Sequence, residues 1–339
     1  MRLFVYEWVT GGGMAGREGR LPDSLLREGL AMVQAVAADA AAARIEVTLM
    51  RDLGVPLIGV PSAQITSVDS RSAHDRLFAE FAAEADATIV IAPETDGALL
   101  AAVSAAEKVG ARLASPGSEV VRLTADKRLT AACLSQAGVP TPESLYLEAG
   151  APLPRDFAYP AVIKPIDGAG SQDTHAVMSV ADAPPAYAWP RLLQRYAVGM
   201  PASVALISDG TAEPLLLPAC RQRLSGDGRF RYLGGQTPLP DALTERAHRL
   251  ARATLAALPA AVGYLGIDLV LGDDPAGARD LVIEVNPRLT TSLVGLRAAC
   301  RESLVAAMID AQQGRRATLS FDPRPLEFDA DGTVYYAAL

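Results

Sequence analysis

Ile283-Glu284-Val285-Asn286-Pro287-Arg288 alternates apolar and polar side chains up to a proline, the pattern of a half-buried strand. Residues two apart on a strand share a face, so the Glu284 carboxylate and the Asn286 amide project together. Asp268 lies 16 residues earlier, in Gly266-Ile267-Asp268-Leu269-Val270-Leu271, and Gly272-Asp273-Asp274-Pro275 supplies a turn between the two runs. A hairpin with matched faces brings two carboxylates and one amide oxygen to the same place. An all-oxygen donor set suits Mg2+ or Mn2+ and suits zinc poorly. The alternative for the hairpin alone is a pair of strand-end carboxylates matched with nearby arginines.

Upstream, Ala161-Val162-Ile163-Lys164 reads as a strand entering the turn Asp167-Gly168-Ala169-Gly170-Ser171, with His175 to Ser179 returning beside it. Such a turn offers backbone N–H groups and a hydroxyl to phosphate oxygens. Its glycines let the chain approach closely in dihedrals that other residues avoid. Taken alone, the same residues describe an ordinary hairpin turn. Lys127, 37 residues earlier, opens a helix that stops at Gly138-Val139-Pro140 and is placed to add a second ammonium. Only Lys108, Lys127 and Lys164 occur among 31 basic residues, so the chain uses arginine for its general surface charge. A lysine kept against that background points to a need for a compact ammonium, although Lys108 reads as an ordinary helix-surface residue. Together these features describe a magnesium–nucleotide site shared by two small α+β units.

In this order the parts resemble the ATP-grasp superfamily, over about residues 118–310. The resemblance implies an ATP-grasp fold, α/β and α+β in class. An N-terminal α/β, Rossmann-like pre-ATP-grasp domain is expected over 1–116, with α+β lobes over 117–192 and 193–339 sandwiching ATP. It implies that Lys127 and Lys164 bind the α and β phosphates and that a mobile loop matching Gly168, Ala169, Gly170 and Ser171 covers them. Leu193-Gln194-Arg195-Tyr196 matches the segment that contacts adenine, which makes Gln194, Arg195 and Tyr196 nucleotide-binding candidates. Asp268, Glu284 and Asn286 match the metal ligands, with Mg2+ or Mn2+ as the ion. Arg288 and Lys164 are the catalytic candidates, Arg288 at the transferring phosphoryl group. Two positions depart from the pattern: Arg195 stands where Glu is frequent, and Pro201 stands where many members carry a Glu for the ribose hydroxyls.

Within the superfamily the wording is similar to the tyramine–glutamate ligase branch of methanofuran-type cofactor biosynthesis. The matching pieces are Glu7-Trp8-Val9-Thr10-Gly11-Gly12-Gly13, Gly199-Met200-Pro201-Ala202-Ser203-Val204, Arg221-Gln222-Arg223, Tyr232-Leu233-Gly234-Gly235 and Asn286-Pro287-Arg288-Leu289-Thr290-Thr291-Ser292. This implies an ATP-dependent carboxylate–amine ligase acting on small molecules through an acyl phosphate, here the γ-carboxylate of L-glutamate and tyramine. Gly11, Gly12, Gly13, Arg221, Arg223, Gly234, Gly235, Thr290 and Thr291 become the substrate-binding candidates. A ligase for a different amino acid and amine, of the dipeptide type, and a nucleotide-binding protein without turnover are the alternatives. Many relatives are dimers, which leaves a homodimer as one option.

Around these motifs, strands at Arg2–Val9, Ile45–Met50 and Thr88–Ala92 alternate with helices at Asp23–Ala43 and Gly97–Val109, as in a parallel sheet. Further helices are expected at Ser118–Leu123, Asp241–Leu258 and Ser292–Gln313, and strands at Leu192–Tyr196 and Ser203–Ile207; the last 25 or so residues are weakly patterned. At 339 residues the chain exceeds one domain of roughly 100–200 residues. No run of about 18 apolar residues suggests a membrane span, and Met1 to Glu7 turns polar too soon for a secretory signal. Three scattered cysteines give neither a disulfide framework nor a zinc site, so a reducing compartment, the cytoplasm, is expected. A net charge of −8 argues against nucleic acid as a partner.

Other features have plainer readings. Gly11-Gly12-Gly13-Met14-Ala15-Gly16 fits the G-x-G-x-x-G spacing, but Arg17 to Pro22 follows where a helix should open, so nicotinamide binding is set aside. A substrate-facing loop and a plain surface loop remain. His74, His175 and His248 share no ligand spacing, Cys220 reads as a buried strand cysteine, and Asp273-Asp274 as a solvated turn. Arg221, Arg223 and Arg288 are either anion clamps or surface charges.

Overall fold

The computed structural model describes residues 1–15, 23–56, 58–60, 62–182 and 187–336. Strands β1 (Arg2–Glu7), β2 (Glu46–Asp52), β3 (Ala63–Val68) and β4 (Ala87–Ile91) form a parallel sheet in the order β3-β2-β1-β4. Helices α1 (Asp23–Ala42), α2 (Arg71–Glu84) and α3 (Ala98–Lys108) accompany it. In β1 and β4 apolar residues run on without alternation and are almost all buried, as in parallel strands covered on both faces. β3 and α2 fill a stretch whose sequence signal is a cap: the Ser70 hydroxyl accepts from the Ala73 N–H and starts the helix.

After α4 (Ser118–Thr124) and α5 (Lys127–Gln136) comes an antiparallel sheet of β5 (Ser144–Leu147), β6 (Ala161–Pro165), β7 (His175–Val177) and β8 (Arg191–Arg195), ordered β5-β8-β6-β7. This is the first lobe. Leu193 and Gln194 pair with β6 and β5, so a lobe boundary between residues 192 and 193 cuts through a strand. The expected domain limit is corrected accordingly; β8 belongs whole to the first lobe, because its ladder is made there.

The second lobe is an antiparallel sheet of β9 (Met200–Asp209), β10 (Leu215–Leu216), β11 (Cys220–Leu224), β12 (Tyr232–Thr237), β13 (Val262–Leu271), β14 (Leu281–Asn286), β15 (Leu326–Asp329) and β16 (Val334–Tyr336). Its order is β14-β13-β9-β11-β12-β15-β16, with β10 beside β9. Helix α6 (Asp241–Ala257) buries Ala247, Leu250, Ala251 and Leu255 in the core beneath β9 and β13. The weakly patterned tail therefore supplies two sheet strands; their sequence is too short and mixed to announce them.

One expected helix is two. Instead of continuing from Ser292 to Gln313, the chain forms α7 (Ser292–Ala299) and α8 (Leu304–Gln312). Cys300 turns extended and bridges to Phe321, and Ser303 caps α8 by accepting from the Ala306 N–H. The buried Asp39 carboxylate of α1 accepts from the Val305 N–H at 2.8 Å and from the Ser303 hydroxyl at 3.0 Å. The break is thus a tertiary event: a side chain from the first domain satisfies the N-terminus of α8. Met32, Val33 and Val36 of α1 share one core with Leu293, Leu296, Leu304 and Met308, which seats the N-terminal domain against the second lobe.

The β13–β14 hairpin is held by a buried ion pair. Arg246 of α6 donates from Nε to Asp280 at 2.9 Å and from Nη2 to the Gly272 carbonyl at 2.7 Å, while the Gly272 N–H donates to Asp280 at 2.9 Å. Both side chains are nearly inaccessible. Removing one partner strands a charge, at about 3 kcal/mol. Asp280→Ala is therefore expected to lower the free energy of unfolding by that amount, read by urea unfolding; a loss under about 0.5 kcal/mol contradicts this account.

Candidate functional site

The site is a cleft between the two antiparallel sheets, closed at one side by the N-terminal domain. Lys164 comes from β6, Lys127 from the first residue of α5, and Asp268, Glu284 and Asn286 from β13 and β14; all five line the cleft. Asp268 stands opposite Glu284, and Gly266 opposite Asn286, across the antiparallel register, with a bulge after Asp268. The hairpin read from sequence thus brings its two carboxylates and its amide together.

Local structure sets each lysine. Asp126 caps α5 by accepting from the Arg128 and Leu129 N–H groups, and the Lys127 N–H itself donates to the Ile166 carbonyl at 2.8 Å. The Lys127 ammonium then donates to the Gly168 carbonyl at 2.8 Å and lies 3.1 Å from Glu284 Oε1, so one side chain touches both lobes. Lys164 is 5% exposed. Burial pushes its pKa down to about 8, and Lys127 adds repulsion against the pull of Glu284 and Asp268.

The carboxylates divide. Burial pushes Asp268 up to about 6, with Glu284 adding to it, against hydrogen bonds from Asn286 Nδ2 at 3.2 Å and Gln222 Nε2 at 2.8 Å. For Glu284 burial acts in the same direction but Lys127 and Lys164 outweigh it, and its pKa falls. Two acids side by side at different readiness to ionise form a place where a divalent cation relieves repulsion. The donors are oxygen throughout, which fits magnesium or manganese. Among the described residues no group of three or more His, Cys, Asp and Glu is arranged for a metal; the third donor here is an amide.

Gly168, Ala169, Gly170 and Ser171 line the cleft, with φ of 116° at Gly168 and 68° at Gly170. Those values lie in the region that favours glycine, and they turn successive peptide groups over the cleft. The loop leans on the N-terminal domain: Asp167 accepts from the Asp96 N–H at 3.0 Å, and a Cβ on Gly170 would lie 3.9 Å from Leu25. Gln194, Arg195, Tyr196 and Pro201 line the cleft as well, with Val162, Leu269, Val270 and Phe230 among the apolar surfaces near them. Gln194 donates to Ser144 Oγ at 3.1 Å, so its side chain is committed within its own sheet.

Arg288 is partly buried and bidentate to Glu94, with Nε and Nη2 at 2.8 and 2.9 Å from the carboxylate oxygens. Burial works against its charge, but Glu94 more than offsets this and its pKa rises. Glu94 follows β4 at the carboxyl end of a parallel strand, the edge where α/β sheets place functional groups. That position was the available sequence signal, and it was missed. Glu28 of α1 and Gln222 of β11 also line the cleft without having been anticipated. Thr290 and Thr291 line it as well.

The remaining substrate candidates are placed elsewhere. Arg221 and Arg223 alternate with Gln222 and Leu224 on β11, and it is Gln222 and Leu224 that line the cleft. Arg223 instead pairs with Asp329 and donates to the Phe328 carbonyl at 3.3 Å. Gly234 and Gly235 pair with Asp329 and Phe328 in the β12–β15 ladder; a Cβ on Gly235 would meet the Phe328 ring at 2.7 Å, so its smallness serves packing. Gly11, Gly12 and Gly13 are buried in a turn folded on Trp8, with the Gly11 N–H on the Glu7 carbonyl at 2.7 Å and the Gly13 N–H on the Trp8 carbonyl at 2.8 Å. They are outside the cleft lining; Gly16 to Pro22 lie outside the described residues.

A family model described as an ATP-grasp domain matches residues 124–292, and a second, described as a pre ATP-grasp 3 domain, matches residues 45–121. A tyramine–L-glutamate ligase of Methanocaldococcus fervens is 26% identical over 212 residues, covering 62% of this chain and 62% of that protein. The matched stretch thus spans less than two thirds of that relative. Among solved structures, one from Archaeoglobus fulgidus assigned to the ATP-grasp superfamily has a TM-score of 0.70 at 23% identity, over 97% of this chain and 92% of the other. An L-amino acid ligase from Bacillus licheniformis has a TM-score of 0.68 at 15% identity, over 96% and 78%. At such identities the structural likenesses speak for the fold alone.

The buried Lys164 ammonium gives a pH prediction. Its protonated form attracts phosphate oxygens, so affinity is present below about pH 8 and is lost as pH rises through it. ADP binding without metal, followed by calorimetry, is expected to weaken above pH 8 by at most roughly tenfold per pH unit, the slope of one proton. Lys164→Arg, charged throughout this range, is expected to flatten the profile; a flat wild-type profile contradicts the assignment.

Proposed function

From the premise that the chain belongs to the ATP-grasp superfamily, we propose that it is an ATP-dependent carboxylate–amine ligase working through an acyl phosphate. One observation carries this reading. Two ammonium groups and three oxygen donors from separate lobes converge on a single cleft under a glycine-rich loop. Asp268, Glu284 and Asn286 are the residues that would hold Mg2+ or Mn2+, whose charge would help neutralise the triphosphate. Lys127 and Lys164 bind the phosphates, and the Gly168–Ser171 loop covers them. Partial burial in the cleft strengthens each of these attractions.

A substrate carboxylate oxygen attacks the γ-phosphorus, and the bond to ADP breaks with its electron pair leaving on ADP. Phosphoryl transfer of this type depends mostly on position and charge. Arg288, kept in orientation by Glu94, stabilises the transferring phosphoryl group. The amine nitrogen, as its free base, then attacks the acyl carbon; the C–N bond forms, the acyl C–O bond breaks with its electron pair leaving on phosphate, and the amine proton passes to solvent or to the departing phosphate. The closed loop keeps water from the acyl phosphate. We assign the γ-carboxylate of L-glutamate as the acid and tyramine as the amine, supported by the 26%-identical relative and the shared motif wording. The product is γ-glutamyltyramine, and the cytoplasm is the setting this chemistry implies.

Incubated with ATP, Mg2+, L-glutamate and tyramine, the protein is expected to release ADP and phosphate only when both substrates are present. AMP as product, or ADP release that ignores both substrates, overturns the reading; a panel of other amino acids and amines separates a dipeptide-type ligase. Glu284→Gln is expected to lower kcat by roughly 10²–10³-fold with its circular dichroism unchanged. Wild-type turnover in that variant removes the metal assignment.

A further inference from the structure

Lys127 and Lys164 stand with Asp268 and Glu284 in one part of the cleft. The part of the cleft at Thr290, Thr291 and Ser292 is built differently. Glu28 enters it from α1, and Thr291 Oγ1 donates to Glu28 Oε2 at 3.0 Å. Among the described residues this is the hydrogen bond the structure gives the carboxylate. The hydroxyls beside it are tied together: Thr290 Oγ1 lies 2.9 Å from Ser292 Oγ and 3.1 Å from the Tyr264 hydroxyl.

Among the described residues, the cations whose charge reaches Glu28 are Arg288 and Arg27. Arg288 is committed to Glu94 through two hydrogen bonds, and Arg27 is exposed on the outer side of α1. Burial raises the Glu28 pKa against the pull of Thr291 and Arg288, so a desolvated carboxylate here gains from a cationic partner. A divalent metal wants about six oxygen ligands, more than one carboxylate and a few hydroxyls provide. An ammonium has three N–H groups to place, which one carboxylate oxygen and two hydroxyl oxygens satisfy. A second anion here is disfavoured by Glu28 itself.

We infer that Glu28, held by Thr291, receives the ammonium group of a substrate of this ligase. The assignment rests on the ligase reading above. Two sources share the chemistry: the α-ammonium of the amino acid and the protonated form of the attacking amine. The cleft is thereby polar along its length, with phosphates drawn to the two lysines and the ammonium-bearing substrate drawn to α1. The N-terminal domain acquires a role in substrate choice.

The test uses the full chain, as wild type, Glu28→Gln and Glu28→Asp. Glu28→Gln keeps an oxygen for Thr291 but loses the charge. It is expected to raise the KM for tyramine or for L-glutamate by roughly tenfold or more, the loss of one charge-assisted hydrogen bond, with the KM for ATP within about twofold of wild type. Glu28→Asp is expected to recover part of the loss. Which KM moves tells the two sources apart. An equilibrium titration in the presence of a non-hydrolysable ATP analogue needs no turnover. Wild type is expected to bind tyramine or L-glutamate in preference to the N-acetyl form of the same compound, and Glu28→Gln to lose that preference. Retained preference, or unchanged KM values for both substrates, in a Glu28→Gln protein that still binds the ATP analogue overturns the inference. Absence of amide product with the binding preference intact overturns the choice of reaction and leaves Glu28 assigned.

Discussion

Four charged groups in one enclosed space, Lys127, Lys164, Asp268 and Glu284, set the terms for the rest of the molecule. Each taken singly into the interior costs several kcal/mol, of order; together they balance two positive charges with two negative ones. They arrive from three segments far apart in the chain: the start of α5, the end of β6 and the β13–β14 hairpin. Balance is reached only when both lobes are in place, and the Lys127 ammonium, touching Gly168 of one lobe and Glu284 of the other, is the link between them. The cleft that a nucleotide requires and the charge balance that the fold requires are the same arrangement.

The N-terminal domain completes this arrangement from outside. Its contributions among the described residues include Glu94 on Arg288, the Asp96 N–H on Asp167, and Glu28 on Thr291. The first fixes the direction of a guanidinium, the second steadies the glycine-rich loop, and the third brings a carboxylate into the cleft. The shared core of α1 with α7 and α8 supplies the rigidity behind these contacts. Asp39, which caps α8, belongs to the same seam. A domain whose own sheet lies outside the cleft lining thus shapes the cleft through the loop after β4 and its first helix.

Several motifs that look functional in the chain are spent on packing. Gly235 lies under the Phe328 ring, and the opening glycines fold back on Trp8. Arg221 and Arg223 fall on the opposite side of their strand from Gln222, which reaches Asp268 at 2.8 Å. The run Arg-Gln-Arg draws attention to its charges, yet the period of two hands the site to the neutral residue between them.

Local pattern was enough for β1, β2, β4, α1 and α3 of the first domain, the lysine-ended β6, the glycine-rich turn, and the hairpin that faces Asp268 with Glu284 and Asn286. These are settled by periodicity, caps and turn residues, which act over a few positions. Tertiary contact alone decided that the helix from Ser292 breaks at Cys300, that the weak tail becomes β15 and β16, and that β8 stays whole in the first lobe. It alone also placed Glu28 and Glu94 at the cleft, because a carboxylate on a helix or after a strand carries no local mark of what will stand beside it. Which side chains share a low-dielectric space depends on residues hundreds of positions away, and that information exists only once the chain is packed.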